Sequence, residues 1–136
     1  MGKKNWFHLV RDYTERLVAI RSVSPGQGEI QVAQAVLNLL HADGLSDLYT
    51  ASGLDLVEGD PYKRQNAYAF LQGKQPATLV LLGHIDTVDT ADYGALERWA
   101  LTPDELAKRA ERLLSPEQAA SNDAVSYTHL TLPTKA

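Results

Sequence analysis

Cysteine is absent from the 136-residue chain. Disulfides, thiolate nucleophiles and sulfur-ligated zinc are thereby excluded, and any metal must be held by His, Asp or Glu. Cationic residues are the minority: 13 Lys and Arg stand against 17 Asp and Glu, for a net charge of -4. Nucleic-acid binding needs clustered cations to displace counterions from phosphate. The dense charge run here, Lys108 to Arg112, carries Glu111 inside it and reads as a solvated helix face. Long apolar runs are missing too. The stretch behind Lys3 and Lys4 is broken by His8 and Arg11, too short and interrupted for a signal peptide. Nothing approaches membrane-spanning length. These absences predict a soluble cytoplasmic protein with neither nucleic acid nor membrane as a partner.

What is present suits a folded domain. The apolar fraction of 44% is ordinary, and a chain of this size can bury roughly 68% of its unfolded surface. Trp6, Leu9, Val10, Tyr13, Leu17 and Ile20 recur at helical spacing, with Asn5 as an N-cap. Ser22-Val23-Ser24-Pro25-Gly26 ends that helix, since Pro25 disfavours helical geometry in the residue before it. A second amphipathic run passes through Ile30, Ala33, Val36, Leu37 and Leu40, and Gly44 sits where a left-handed C-cap belongs.

The pattern then changes to strands. Asp47 to Ala51 and Asp55 to Val57 are short candidates, Gly59-Asp60-Pro61 is a turn, and Asn66 to Gln72 is a firmer strand. The run Thr78-Leu79-Val80-Leu81-Leu82 has the continuous apolar character of a strand buried on both faces. The Gly73 to Pro76 connection suits an antiparallel hairpin joining it to the strand before. Beyond a loop from Asp86 to about Leu101, a helix begins with good signals. Thr102 is the cap, Pro103 takes the first position, Glu105 completes a capping box, and Leu101 and Leu106 form a staple. Its apolar stripe is Leu106, Ala110, Leu113 and Leu114.

One group of residues carries chemistry: Gly83-His84-Ile85-Asp86-Thr87-Val88, directly after the apolar run. In open α/β sheets, functional residues gather where strands give way to loops. A neutral imidazole is a good zinc ligand, and works best when its second nitrogen donates to a carboxylate. Asp86, two positions on, can serve as that carboxylate. The same spacing also suits a purely structural pair at a strand end. The remaining candidates read as structural: His8 beside Phe7, and His41 near a helix C-terminus where a cation suits the dipole. Ser22 and Ser24 lack a Gly-x-Ser-x-Gly context, and Gly26-Gln27-Gly28 is too short for a phosphate loop.

An apolar strand running into Gly-His-x-Asp-Thr-Val resembles the first metal-ligand motif of the M20 family of zinc peptidases and deacylases. Arg64 and Asn66 opening the preceding strand are also common there, and the paired amino-terminal helices with Ser22-Val23-Ser24-Pro25 between them look like the family's opening. The loop Asp89-Thr90-Ala91-Asp92-Tyr93-Gly94 is similar to the family's arginine-utilisation branch. The resemblance covers about Trp6 to Leu114 and rests on one strong motif.

It implies an α/β fold: the N-terminal part of a zinc-peptidase-like catalytic domain, helices on an incomplete mixed sheet, over residues 1–123. It implies hydrolysis of amide bonds in small peptides or N-acyl amino acids at a two-metal site, with zinc usual and cobalt or manganese alternatives. His84 would be a ligand of one metal and Asp86 the residue that orients it. The family's bridging Asp and general-base Glu have no counterpart here. Asp89, Asp92 and Asp123 lack the Gly-rich setting, and Glu97, Glu111 and Glu117 form no Glu-Glu pair. The chain by itself is therefore expected to bind metal poorly and to be inactive. Residues 124–136, ending Val125-Ser126-Tyr127-Thr128-His129-Leu130, then Thr131 to Ala136, look like translated sequencing-adapter DNA, a non-native tail in which His129 has no role. The alternative is a small non-enzymatic α/β module in which His84 and Asp86 are structural.

Overall fold

The computed structural model describes residues 6–113. The architecture is α/β, with helices accompanying a two-stranded antiparallel sheet. Contacts divide the chain into two compact units, one ending at Asp89 and the other beginning at Thr90.

In the first unit, α1 spans Trp6–Val18 and α2 spans Gln27–Leu40. Neither contains proline, and each carries apolar residues three or four apart, so one face of each can be buried. α2 is the better buried. Val32 and Ala33 are 2% and 0% exposed and form the core beneath the sheet, and α2 packs on both strands as well as on α1. Full burial of a side chain such as Val32 contributes about 1.5–3 kcal/mol. α1 lies more open. Trp6, Phe7 and Val10 face solvent, while Tyr13 and Leu17 line an apolar groove with Val36, Leu39, Leu40 and Leu45.

The start of α2 is built from Gly26, Gly28 and Glu29. The Glu29 carboxylate accepts from the Gly26 N–H at 2.9 Å, and the Glu29 N–H donates to the Gly26 carbonyl, satisfying two groups that a helix start leaves open. Gly28 has a different task. A Cβ there would lie 1.7 Å from the Arg21 carbonyl oxygen, so only glycine lets the helix approach the preceding segment this closely. α2 ends at His41, and a 3-10 helical turn follows over Ala42–Leu48. Gly44 does adopt φ 74°, but within that turn and not as the cap of α2. Asp47, expected to open a strand, belongs to the same turn.

The strands are β1, Ala51–Leu56, and β2, Gln65–Phe70, paired from Ala51 with Phe70 to Leu56 with Gln65. A turn containing Gly59 at φ 73° and Lys63 at φ 56° joins them. The expected hairpin between β2 and the apolar run is not formed. β2 pairs with β1, and Thr78–Leu82 joins no ladder among the described residues. Nor is that run buried: Leu79, Val80, Leu81 and Leu82 are 84%, 67%, 85% and 94% exposed. A strand is covered on both faces only when neighbouring strands hold it in a sheet and helices lie over each face. Here the local sequence has the right character, but the described chain supplies no such neighbours.

In the second unit, two 3-10 turns occupy Ala91–Trp99, with a kink at Gly94 (φ 53°, ψ -121°), and α3 spans Pro103–Leu113. Leu106 and Ala100 are buried, 4% and 6% exposed. Thr102 does not spend its hydroxyl on the helix N-terminus but donates it back to the Trp99 carbonyl at 3.0 Å. The Glu105 carboxylate is engaged by Lys108 at 3.0 Å and Arg109 at 3.5 Å. Trp99 lies between two guanidinium groups, Arg98 at 3.9 Å and Arg109 at 3.8 Å from the ring centre. Leu114, Asn5 and residues 124–136 lie outside the described residues.

Candidate functional site

The segment that carries His84 and Asp86 is fixed from one side by the connection between α1 and α2. Ser22, 1% exposed, donates its hydroxyl to the Ile85 carbonyl at 2.9 Å. The Thr87 N–H donates to the Ser22 carbonyl at 3.1 Å, and Val23 and Thr87 form a parallel bridge. At the far end Arg21 reaches the Asp89 carboxylate at 3.4 Å. Three successive residues, Arg21 to Val23, thus hold the five-residue stretch from Ile85 to Asp89 at three points, Ile85, Thr87 and Asp89.

Within this frame His84 Nδ1 lies 3.2 Å from the backbone carbonyl of Asp86 and 3.4 Å from its Oδ1. Both neighbours are acceptors, so the tautomer that satisfies them carries its proton on Nδ1. That leaves the lone pair on Nε2. The His84 side chain is 87% exposed and that of Asp86 46%, so Nε2 is open to solvent solutes. The backbone carbonyl is the nearer of the two acceptors.

A second polar cluster joins the hairpin to the start of α2. Asp60 takes two side-chain hydrogen bonds from Arg64, Nη2 to Oδ1 at 2.7 Å and Nε to Oδ2 at 3.0 Å, plus the Arg64 backbone N–H at 2.7 Å. The Arg64 Nη1 extends on to Glu29 and to the Ser24 hydroxyl, each at 3.5 Å. This two-pronged geometry is the strong form of the ion pair. Its hydrogen bonds hold the Asp60 carboxyl down at about 2 against its ordinary 3.8, and the same bonds raise Arg64. Arg64 therefore ties the β1–β2 turn, the α2 N-terminus and the residue beside Val23 together, which supports the strip on which the motif rests.

The other expected residues are scattered. His41 Nε2 is 2.7 Å from the Ser52 hydroxyl, pinning the end of α2 to β1. His8 is exposed and edge-on to Phe7 at 5.9 Å. Asp89 belongs to the Arg21 pair, and Glu97 accepts from Thr90 at 3.2 Å. Among the described residues no three His, Asp or Glu side chains converge as a metal site would require. A catalytic zinc takes three protein ligands. The described residues therefore do not fit a complete metal centre; they provide one imidazole and the carboxylate beside it. Among the described residues no helix is long and apolar enough to cross a membrane.

Sequence reasoning missed the role of Ser22. Its burial had a visible signal, a small hydroxyl residue two positions after Ile20, but the partner lies 63 positions away. It likewise missed the bridging role of Arg64, although Asp60 four residues before it is a spacing at which a turn can bring opposite charges together.

Comparison with known proteins gives one partial likeness. Over 58 residues the chain is 36% identical to Protein RocB of Bacillus subtilis (strain 168), a match that takes in 41% of this chain. It spans 10% of that relative's length. No family model and no solved structure matches the chain.

Proposed function

We propose that the chain is part of a metal-dependent hydrolase of amide bonds, of the M20 type and its arginine-utilisation-like branch, acting on small peptides or N-acyl amino acids. The observation that carries the reading is the His84–Asp86 arrangement: an exposed imidazole whose Nδ1 is occupied by Asp86 at 3.2–3.4 Å, leaving Nε2 available. This is the way a zinc-ligating histidine is commonly held. The partial likeness to RocB supports the same reading. In it His84 is a metal ligand and Asp86 the residue that fixes its tautomer and direction. The metal is zinc, with cobalt or manganese as substitutes.

One imidazole cannot hold a hydrolytic metal by itself, so no reaction step is assigned to the described residues. The proposal therefore carries a specific expectation: the 136-residue chain binds zinc weakly and is inactive. Isothermal titration with zinc should give weak uptake that His84→Ala abolishes. Tight stoichiometric binding, or weak binding indifferent to His84→Ala, overturns the reading. The second outcome also favours the alternative, in which His84 and Asp86 only brace the segment after the apolar run. In a longer polypeptide that supplies the remaining ligands, amide hydrolysis should appear and should be lost on His84→Ala.

A further inference from the structure

Ser22 meets the chain around Asp86 twice. Its hydroxyl donates to the Ile85 carbonyl at 2.9 Å, and its own carbonyl accepts from the Thr87 N–H at 3.1 Å. The first contact holds the peptide unit on the amino side of Asp86, and the second holds the unit on its carboxyl side. Each unit is a rigid plane, so the freedom left between them is the φ and ψ of Asp86. One residue, by two contacts, sets both angles. The direction of the Asp86 carbonyl follows. It shares a plane with the Thr87 N–H, and in a trans peptide the two point opposite ways. The N–H points to Ser22, so the carbonyl is turned toward the other edge of the segment. There it meets His84 Nδ1 at 3.2 Å, nearer than the Asp86 carboxylate oxygen at 3.4 Å.

We infer that Ser22 is the positioning residue of the His84 imidazole: by turning the Asp86 carbonyl toward the ring, it sets the proton on Nδ1 and leaves the Nε2 lone pair free. A neutral imidazole carries its proton on either nitrogen, and the hydrogen bond made by one of them decides which. A carbonyl can only accept, so the nitrogen that faces it must be the protonated one. The His84 side chain is 87% exposed, so packing does little to aim it, and this carbonyl is its nearest fixed point. Asp86 thus acts on the ring through its main chain, and Ser22 acts through Asp86. The carboxylate contributes charge, while the serine contributes direction. The inference rests on the proposed metal reading only for what Nε2 then binds. The hold on the ring belongs to the metal-free chain.

The test uses no metal, so its failure is separate from a failure of zinc uptake. In the isotope-labelled full chain at about pH 9, where imidazole is neutral, the two ring-nitrogen chemical shifts report where each histidine carries its proton. The His84 signals are those missing from His84→Ala. In the native chain they should show the proton on Nδ1. Ser22→Ala should move the ratio of the two tautomers toward Nε2 by about two- to ten-fold, the weight of one hydrogen bond. His41, which pairs with Ser52 at the other end of α2, should keep its shifts and so report that the fold is intact. Asp86→Asn keeps the main-chain carbonyl and should leave the proton on Nδ1. A native His84 protonated on Nε2 overturns the inference, whatever becomes of Ser22→Ala. So does a ratio that Ser22→Ala leaves unmoved, or one that Asp86→Asn reverses with Ser22 in place.

Discussion

Ser22 and Ile85 are joined by a 2.9 Å hydrogen bond across 63 positions of the chain, the hydroxyl donating from a site 1% exposed. This bond, with the Thr87 amide donating to the Ser22 carbonyl, sets where the His84 motif lies. Ser22→Ala leaves the part-buried Ile85 carbonyl without its donor, a change that costs about 1 kcal/mol. The expected outcome is a lower urea midpoint and faster hydrogen exchange at the Thr87 amide. An unchanged exchange rate would show that the pairing of Val23 with Thr87 holds the motif unaided.

Gly28 tests the same support from the helix side. A methyl group at this position meets the Arg21 carbonyl at 1.7 Å, so Gly28→Ala must push α2 away from the segment that grips the motif. Forced overpacking of this kind costs about 1–3 kcal/mol, outweighing the roughly 0.5–1 kcal/mol that alanine gains over glycine inside a helix. Gly44→Ala is the informative contrast, since nothing lies within 4 Å there and the strain comes only from φ 74°. Thermal melts of the two variants should rank Gly28→Ala as the more destabilised.

Acid should loosen the β1–β2 turn in a defined window. Asp60 is held at about 2 by hydrogen bonds from Arg64, below its ordinary 3.8. A folded-state value below the unfolded one stabilises the protein above the unfolded value, and that contribution fades as pH falls through the folded value. Stability should therefore decline between about pH 4 and pH 2 from this pair. Asp60→Asn should flatten that limb of a denaturation-versus-pH curve while lowering stability at neutral pH.

For the proposed ligand pair, Asp86→Asn keeps the backbone carbonyl that lies nearest Nδ1 but removes the charge 3.4 Å away. Loss of such an orienting partner typically costs 10–100-fold in metal affinity. Zinc titration of the 136-residue chain should thus show binding weakened by Asp86→Asn and eliminated by His84→Ala. Equal loss in both variants would mean that the carboxylate itself is a ligand.

In the second unit, Trp99 emission should report its two guanidinium neighbours, which lie 3.8–3.9 Å from the ring centre. Arg109→Ala removes one face contact and the pairing with Glu105. Contacts of this kind contribute about 0.5–2 kcal/mol. A shift in tryptophan emission together with partial loss of α3 helicity is expected, with Arg98→Ala giving the smaller change because its side chain does not belong to the helix.

The helices were legible because their cause is local. Leu9, Tyr13 and Leu17 in α1, and Ala33, Val36 and Leu40 in α2, carry the period that a helix imposes, and both elements form close to where that period places them. Pro103 likewise marks the first residue of α3. The apolar run after Pro76 was misread because its pattern states only what kind of neighbour it suits. Whether Leu79 to Leu82 is covered depends on strands that the described chain does not provide. At the candidate site, His84 and Asp86 were visible as a two-residue spacing. Their support was not, because Ser22, Glu29 and Arg64 come from segments that meet only after α2 has packed on the hairpin.

The tight seat of Gly28 against Arg21 has a mechanical consequence. Arg21 is the residue next to Ser22, so a rigid rod, α2, abuts the strip that grips the imidazole's segment with no compressible side chain between them. The first turn of α2 therefore fixes the height of the Arg21 carbonyl, one residue before the serine that bonds to Ile85.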